Sequence, residues 1–296
     1  MNPRAALVSL HFAVLLFGLS GLIGKAVHSP ALIVTCLRSL VGALALAVFL
    51  ALRRDRVLTA WRGRWGALLG GGALLAAHWW MFFAAIQLST VALGLLTYAS
   101  YPLFVTLLGW LAFRESPRRV DALACALVVA GLVLVVPDWS FGSRTGLALA
   151  LGLASGFSFA ALTLFNRRLA ETVPPLALVT VQMATAGLLL LPLAAVRLPS
   201  VPARDWIWLV VLGIVFTGLA HAAFTASLRR VRLGVVGVVA ALEPVYGITA
   251  AWMLFGETPS LVMLAGGALI IGASLLTLLP ASVRAPSQVP ERKPEL

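Results

Sequence analysis

Charge is what this chain has least of. Of 296 residues, 11% are Asp, Glu, Lys or Arg, while 61% are hydrophobic. Soluble domains carry about 25% charged residues, so this chain cannot cover a globular surface with solvated side chains. Acidic residues are the scarcest class, 10 against 22 basic ones, for a net charge of +12. The basic residues stand in short groups between apolar runs. That pattern fits anchoring at a membrane face and argues against a nucleic-acid partner. Cysteine is nearly absent as well: Cys36 and Cys125 both lie inside apolar runs, with no disulfide or metal spacing. The four histidines are too scattered to form a ligand set, so neither metal nor cofactor is expected. Catalytic signatures are also missing. There is no H-E-x-x-H, no G-x-S-x-G, no pair of intramembrane carboxylates and no phosphate-cradling loop. The expectation is a chain that is not an enzyme and does not hydrolyse ATP by itself.

Apolar runs dominate what is there. About 20 residues are needed to cross ~30 Å of hydrocarbon as a helix. Ten runs qualify, at approximately 5–25, 31–52, 65–86, 91–113, 119–136, 145–166, 175–196, 206–228, 233–255 and 260–280. The fold class is therefore an all-α polytopic membrane protein with ten transmembrane helices. The first run is read as a retained helix, not a cleaved signal. Residues 281–296 are polar and proline-containing and read as a disordered cytoplasmic tail.

One stretch occurs twice. Trp110-Leu111-Ala112-Phe113-Arg114-Glu115-Ser116-Pro117 returns as Trp252-Met253-Leu254-Phe255-Gly256-Glu257-Thr258-Pro259, with Pro102 and Pro244 eight residues before the tryptophans. A single offset of 142 residues (102 to 244, 110 to 252, 117 to 259) holds throughout, so the chain is a duplication. Its halves are 5–136 and 145–280. The motif reads as a tight turn: Ser116 or Thr258 as N-cap, the following proline at the first helical position, and Glu115 or Glu257 beside the positive end of the next helix.

The basic residues orient the chain. With the N-terminus inside, 17 of the 22 Lys and Arg residues fall on the cytoplasmic side. Lys25, Arg144, Arg197 and Arg204 fall on the other, and Arg38 lies within span two. Both termini are then cytoplasmic. Five spans per half is an odd number, so the second half enters the membrane the other way up, and the halves become inverted repeats. Secondary transporters often have this arrangement, with the substrate site near the midplane between the repeats. Gly66-xxx-Gly70 and Gly152-xxx-Gly156 offer small faces for helix packing. Pro102 and Pro244 fall in mid-span, where proline bends a helix and frees a carbonyl. They shape either a central cavity or the packing.

The Pro-x7-Trp-x2-Phe-x-Glu-(Ser/Thr)-Pro pattern and the run from Leu242-Glu243-Pro244 to Gly272 resemble the EamA-like branch of the drug/metabolite transporter superfamily. The resemblance covers nearly the whole chain and implies ten helices in two inverted five-helix repeats. Among its members it looks most similar to bacterial exporters of amino acids, including aromatic ones. It thus implies a secondary transporter of amino acids or similar metabolites, working by alternating access in the bacterial cytoplasmic (inner) membrane. The implied partners are a small-molecule substrate, the lipid bilayer and, as a candidate coupling ion, the proton; the protein is expected as a monomer or weak dimer. The alternatives are a carrier of drugs or nucleotide-related metabolites, a non-transporting scaffold or an intramembrane enzyme. Fold does not decide among substrates.

Polar residues at membrane depth are costly and mark candidate sites. Glu243, beside Pro244, and Arg38 are the two charges hardest to accommodate. An amino acid offers an ammonium for Glu243 and a carboxylate for a bidentate Arg38; the alternative is that the two brace the protein by pairing with each other or with freed carbonyls. His78 and His221 lie within one residue of equivalent positions in the repeats. Ser20 and Ser158, after Gly18 and Gly156, face a cavity or bond to the preceding turn. Gln182 aligns approximately with Arg38. Trp79, Tyr98 and Tyr101 cluster on either side of the connection between spans three and four; an interfacial belt suits Tyr98 and Tyr101 less well, eight or more residues inside span four, and such aromatics suit the lining of a cavity for small amphipathic molecules. Lys25, at the end of span one, can snorkel to the interface.

Overall fold

The computed structural model describes residues 3–53, 64–101, 103–104, 107–108, 111, 119–135, 144–169, 173–228, 239–240 and 242–277. Among these every regular element is helical. In order they are α1 (Pro3–Ala26), α2 (Ala31–Leu52), α3 (Trp65–Leu88), α4 (Val91–Tyr98), α5 (Arg119–Val135), α6 (Arg144–Leu169), α7 (Pro175–Ala195), α8 (Ala203–Gly213), a π-helical stretch Ile214–Leu219 running straight into α9 (Ala220–Leu228), α10 (Glu243–Phe255) and α11 (Leu261–Thr277). A 3-10 turn, Leu198–Ser200, joins α7 to α8. Six helices are long and apolar enough to cross a membrane, and two shorter apolar ones lie at Leu123–Val135 and Leu261–Ala273. Leu44, Leu52, Leu193, Met253 and Leu261 are exposed on the outside, as expected where lipid replaces water. Pro102, Trp110, Glu115, Ser116, Pro117 and the tail 281–296 lie outside the described residues.

The helices pack in matched pairs. α2 lies against α7 and α5 against α11, while α3 packs on α6 and α7, and α1 on α9 and α10. α4 packs on α6 and α10. The most extensive packings thus join a helix of the first half to one of the second, while α2 on α3 and α3 on α4 pack within the first half. The closest crossings use glycine. A Cβ at Gly18 of α1 would lie 2.6 Å from the carbonyl oxygen of Glu243, and Cβ atoms at Gly131 and Gly266 would each lie 2.6 Å from the other's carbonyl oxygen. Gly156 of α6 rests on the backbone of Tyr98 and Tyr101, with a Cβ distance of 3.1 Å to the Tyr98 oxygen. Gly66, by contrast, has nothing near it and forms no crossing.

Three local readings need correction. Pro244 does not kink a continuous helix. It sits in the first turn of α10, after a turn at Leu242 whose N–H donates to Val239 O at 3.0 Å. Proline is accommodated there because its missing N–H would have had no helical partner. Thr258 is not the N-cap of α11: Ser260 is, its Oγ accepting from Met263 N at 3.1 Å, and Pro259 precedes the helix. Glu257 does not serve that helix. Its carboxylate accepts the Val91 N–H of α4 at 3.0 Å. Gly256 ends α10 with φ of 66°, a left-handed conformation suited to glycine.

One end of the bundle is closed by polar ties, some within the first half and some between the halves. Lys25 donates to Ser89 O and to Ile86 O and pairs with Glu257 at 3.7 Å. It is therefore a tie between α1, the end of α3 and the connection from α10 to α11, more than a snorkelling residue. Asp205, at the start of α8 and 1% exposed, accepts from His28 N, Ser29 N and Ser29 Oγ at 2.9, 2.8 and 2.7 Å. Gln87 donates to Gly24 O and Ser29 O, both at 3.0 Å.

Candidate functional site

Two helix breaks organise the interior. After α4 the chain turns at Ala99 and Ser100, with Ser100 N donating to Thr97 O at 3.3 Å; before α10 the Leu242 N–H makes the corresponding bond to Val239 O. Ser100 and Leu242 stand at the same offset as Pro102 and Pro244, and so do Tyr101 and Glu243. Each break lies under a glycine of the opposite half, Gly156 over Tyr98–Tyr101 and Gly18 over Glu243. Glu243 is half-buried at the first position of α10. Its backbone presses on Gly18 of α1, the residue after Phe17, whose ring lies 4.7 Å from His221.

Arg38, in the third turn of α2, is 2% exposed. Trp79 covers its guanidinium at 4.4 Å and Phe83 at 4.9 Å, a favourable use of two aromatic faces on a desolvated cation. Its Nε donates to Thr217 Oγ1 at 2.9 Å, and Nη1 is buried with no partner among the described residues. The ion pairs among the described residues do not include Arg38 or Glu243. The bracing alternative of a direct ion pair is therefore not realised here: two charges face one neighbourhood unpaired, each expensive to hold at this depth.

Aromatic rings complete the site in two groups, separated by adjacent residues of α3. Successive helical residues point about 100° apart, so His78 and Trp79 look into different groups. His78 lies 4.8 Å from Phe159 and 5.3 Å from Tyr98, ring to ring; Tyr98 stacks on Tyr101 at 5.6 Å and 18°, and Tyr101 meets Phe159 edge-on at 5.4 Å. On the other side Trp79 meets His221 edge-on at 5.4 Å, and His221 lies 4.7 Å from Phe17.

Both histidines are held by hydrogen bonds. His78 Nδ1 lies 2.8 Å from Ser155 Oγ, while that hydroxyl donates to His78 O at 3.0 Å. The serine proton is thus used, and Nδ1 carries its own proton and donates. His221 Nδ1 donates to Thr217 O at 3.0 Å, one turn back.

The structure therefore brings together Glu243, Arg38, His78, His221, Trp79, Tyr98 and Tyr101. It does not add Ser20, whose Oγ donates to Phe17 O at 2.7 Å, or Ser158, which donates to Ser155 O at 2.9 Å. For both, the bond to the preceding turn is what forms. Gln182 exchanges amide bonds with Asn166 at 2.6 and 3.2 Å, tying α6 to α7. Sequence reasoning missed Thr217, Ser155, Phe159 and Phe17. For Thr217 the one available signal was a hydroxyl inside an apolar span.

The family model described as the EamA-like transporter family matches twice, at residues 4–136 and 146–279. A "Probable amino-acid metabolite efflux pump" of Salmonella typhimurium is 27% identical over 295 residues, covering 95% of this chain and 94% of that protein. An "Uncharacterized transporter" of Archaeoglobus fulgidus is 26% identical over 197 residues, covering 66% and 70%. "Protein RarD" of Salmonella typhi is 30% identical over 196 residues, covering 63% of each chain. A solved crystal structure superposes with a TM-score of 0.69 at 21% identity, covering 94% of this chain and 97% of that one; the likeness is one of fold.

Proposed function

Because this chain belongs to the EamA-like transporter family, we propose that it is a secondary exporter of amino acids or similar small zwitterionic metabolites, working by alternating access across a bacterial cytoplasmic membrane. The observation that carries the reading is the two charges, Arg38 and Glu243, that form no ion pair among the described residues, beside an aromatic shell at two matched helix breaks. Glu243 receives the substrate ammonium, or exchanges a proton for it, and Arg38 receives the carboxylate. Trp79, Tyr98, Tyr101 and Phe159 offer apolar faces to the rest of the molecule.

Alternating access is supported by how the halves interleave. α1 packs on α9 and α10 as α6 packs on α3 and α4, the exchange expected of inverted five-helix repeats with their axis in the membrane plane. The breaks at Ser100 and Leu242 are joints where short rigid helices can tilt. The ties through Lys25, Glu257, Asp205 and Gln87 close the end that the basic-residue bias assigns to the outer side. This conformation would thus be the one sealed toward the exterior.

The test is export from proteoliposomes loaded with single radiolabelled amino acids, with and without a proton gradient. Saturable efflux of at least one amino acid, absent from protein-free liposomes, is the expected result. Leakage equal to that of empty liposomes for all of them would overturn the proposal.

A further inference from the structure

Two buried polar side-chain atoms have no hydrogen-bond partner among the described residues: Arg38 Nη1 and Thr35 Oγ1. They lie one helical turn apart on α2, where side chains at i and i+3 share a face. Leaving one such group unmet costs about 1–3 kcal/mol, more for a charged group, so two together on one face mark a place built for something else. Both atoms belong to donors: a guanidinium donates only, and a threonine hydroxyl brings a proton of its own.

The rest of the Arg38 surroundings narrows what that something is. Trp79 and Phe83, one turn apart on α3, crowd the guanidinium at 4.4 and 4.9 Å, and a guanidinium donates hydrogen bonds only along the edge of its plane. One corner of that edge, Nε, is taken by Thr217. Thr217 can accept there because its own proton is spent on Leu212 O at 2.8 Å, five residues back. Thr217 itself sits in the π-helical stretch Ile214–Leu219, and its hydroxyl reaches back past the start of that stretch to the end of α8. The stretch also packs on α2, where a Cβ at Gly42 would lie 3.2 Å from Thr217 Cγ2. A π turn in an otherwise α-helical segment is a rare feature that recurs at functional sites.

We propose that Thr217 is a positioning residue which, through the π-helical stretch, turns the free edge of Arg38 toward a substrate carboxylate, and that Thr35 supplies that carboxylate's further hydroxyl donor. The inference rests on the export reading for its cargo, but its content is specificity: the site selects molecules with an ionised carboxylate and rejects the matching amides. A carboxylate offers two acceptor oxygens to the guanidinium fork, with charge assistance. An amide presents one acceptor and brings an NH2 group, leaving a buried donor unmet, and polar sites reject such analogues strongly. In the conformation described here the seat is covered, since Arg38 is 2% exposed. It opens when the helices around the breaks move apart.

The experiment uses the full-length protein in nanodiscs and measures the Kd of matched acid and amide pairs by calorimetry. One pair is an apolar amino acid and its amide; the other is the corresponding carboxylic acid without the amine, and its amide. The wild type is expected to favour the acid in both pairs by roughly a hundredfold. Thr217→Val should weaken acid binding about tenfold while leaving the amide Kd within about threefold, the loss expected for a displaced charge-assisted hydrogen bond. Thr217→Ser, which keeps the hydroxyl, should restore the wild-type ratio. Thr35→Val should lower the ratio several-fold, and it carries the test alone if Thr217→Val does not fold. An unchanged acid-to-amide ratio in the folded valine variants, or a wild type without acid preference, overturns the inference. Acid selectivity without any amino-acid efflux from liposomes would sink the export reading and leave this one standing; efflux without acid selectivity would do the reverse.

Discussion

Gly18 and Glu243 meet backbone to backbone: a Cβ on the glycine would lie 2.6 Å from the glutamate carbonyl oxygen. Glu243 is thus held on a helix end pressed against α1, with no space for a methyl group at Gly18. Gly18→Val should lower thermal stability by about 1–3 kcal/mol, the usual range for overpacking, measured by fluorescence-monitored melting in nanodiscs. Gly66→Ala, which meets nothing, should stay within about 0.5 kcal/mol or gain slightly from helix propensity. Equal effects at both positions would contradict the close crossing.

Asp205→Ala should be among the more damaging substitutions outside the central site. It removes an acceptor of three hydrogen bonds and leaves the His28 and Ser29 N–H groups facing an empty position. A loss of about 2–4 kcal/mol is expected. Asp205→Asn, which keeps one acceptor oxygen, should lose less than half of that. The same melting measurement decides it.

Inversion of the halves is tested by labelling. Arg53 follows α2 and Arg197 follows α7, helices that pack against each other, and both residues are exposed. In a background with Cys36 and Cys125 replaced, Arg53→Cys should react with a membrane-impermeant maleimide only from the cytoplasmic side, and Arg197→Cys only from the outer side. Labelling of both from one side would end the inverted-repeat reading.

Glu243→Gln keeps shape and hydrogen bonding but removes the titrating charge. With insertion and folding intact, efflux should fall at least tenfold or lose its dependence on pH. Transport with an unchanged rate and pH profile would make Glu243 a packing residue.

What could be read in the sequence follows from which forces act along the chain and which act across it. All ten apolar runs carry helix among their described residues, because hydrocarbon demands apolar length and internal hydrogen bonding wherever the chain crosses. Arg38 and Glu243 stood out for the same reason, their cost at membrane depth being independent of partners. Pro244 was read as a mid-span bend and instead sits in a first turn: proline is tolerated in a first turn as well as in a kink, and only the bond from Leu242 to Val239 separates the two. Asp205, Ser155 and Thr217 were missed because their partners, Ser29, His78 and Arg38, lie far away in the chain. No local pattern announces such a pairing. Thr258 lost the capping role to Ser260, an equally good cap two residues on.

The bond from Arg38 to Thr217 spans 179 residues of chain, and that separation is also an interval of time. At synthesis rates of about 5–20 residues per second, Thr217 is made roughly 10–35 s after Arg38. Through that interval the arginine sits in the half-built protein without its hydrogen-bond acceptor, while Ser29 waits almost as long for Asp205. The nascent first half can shelter the cation only with what it already has, the rings of Trp79 and Phe83 on α3. The same two rings that confine the guanidinium in the finished transporter would then be its first refuge during biogenesis, so losing either should show up as degradation of the newborn chain before it shows up in the mature protein.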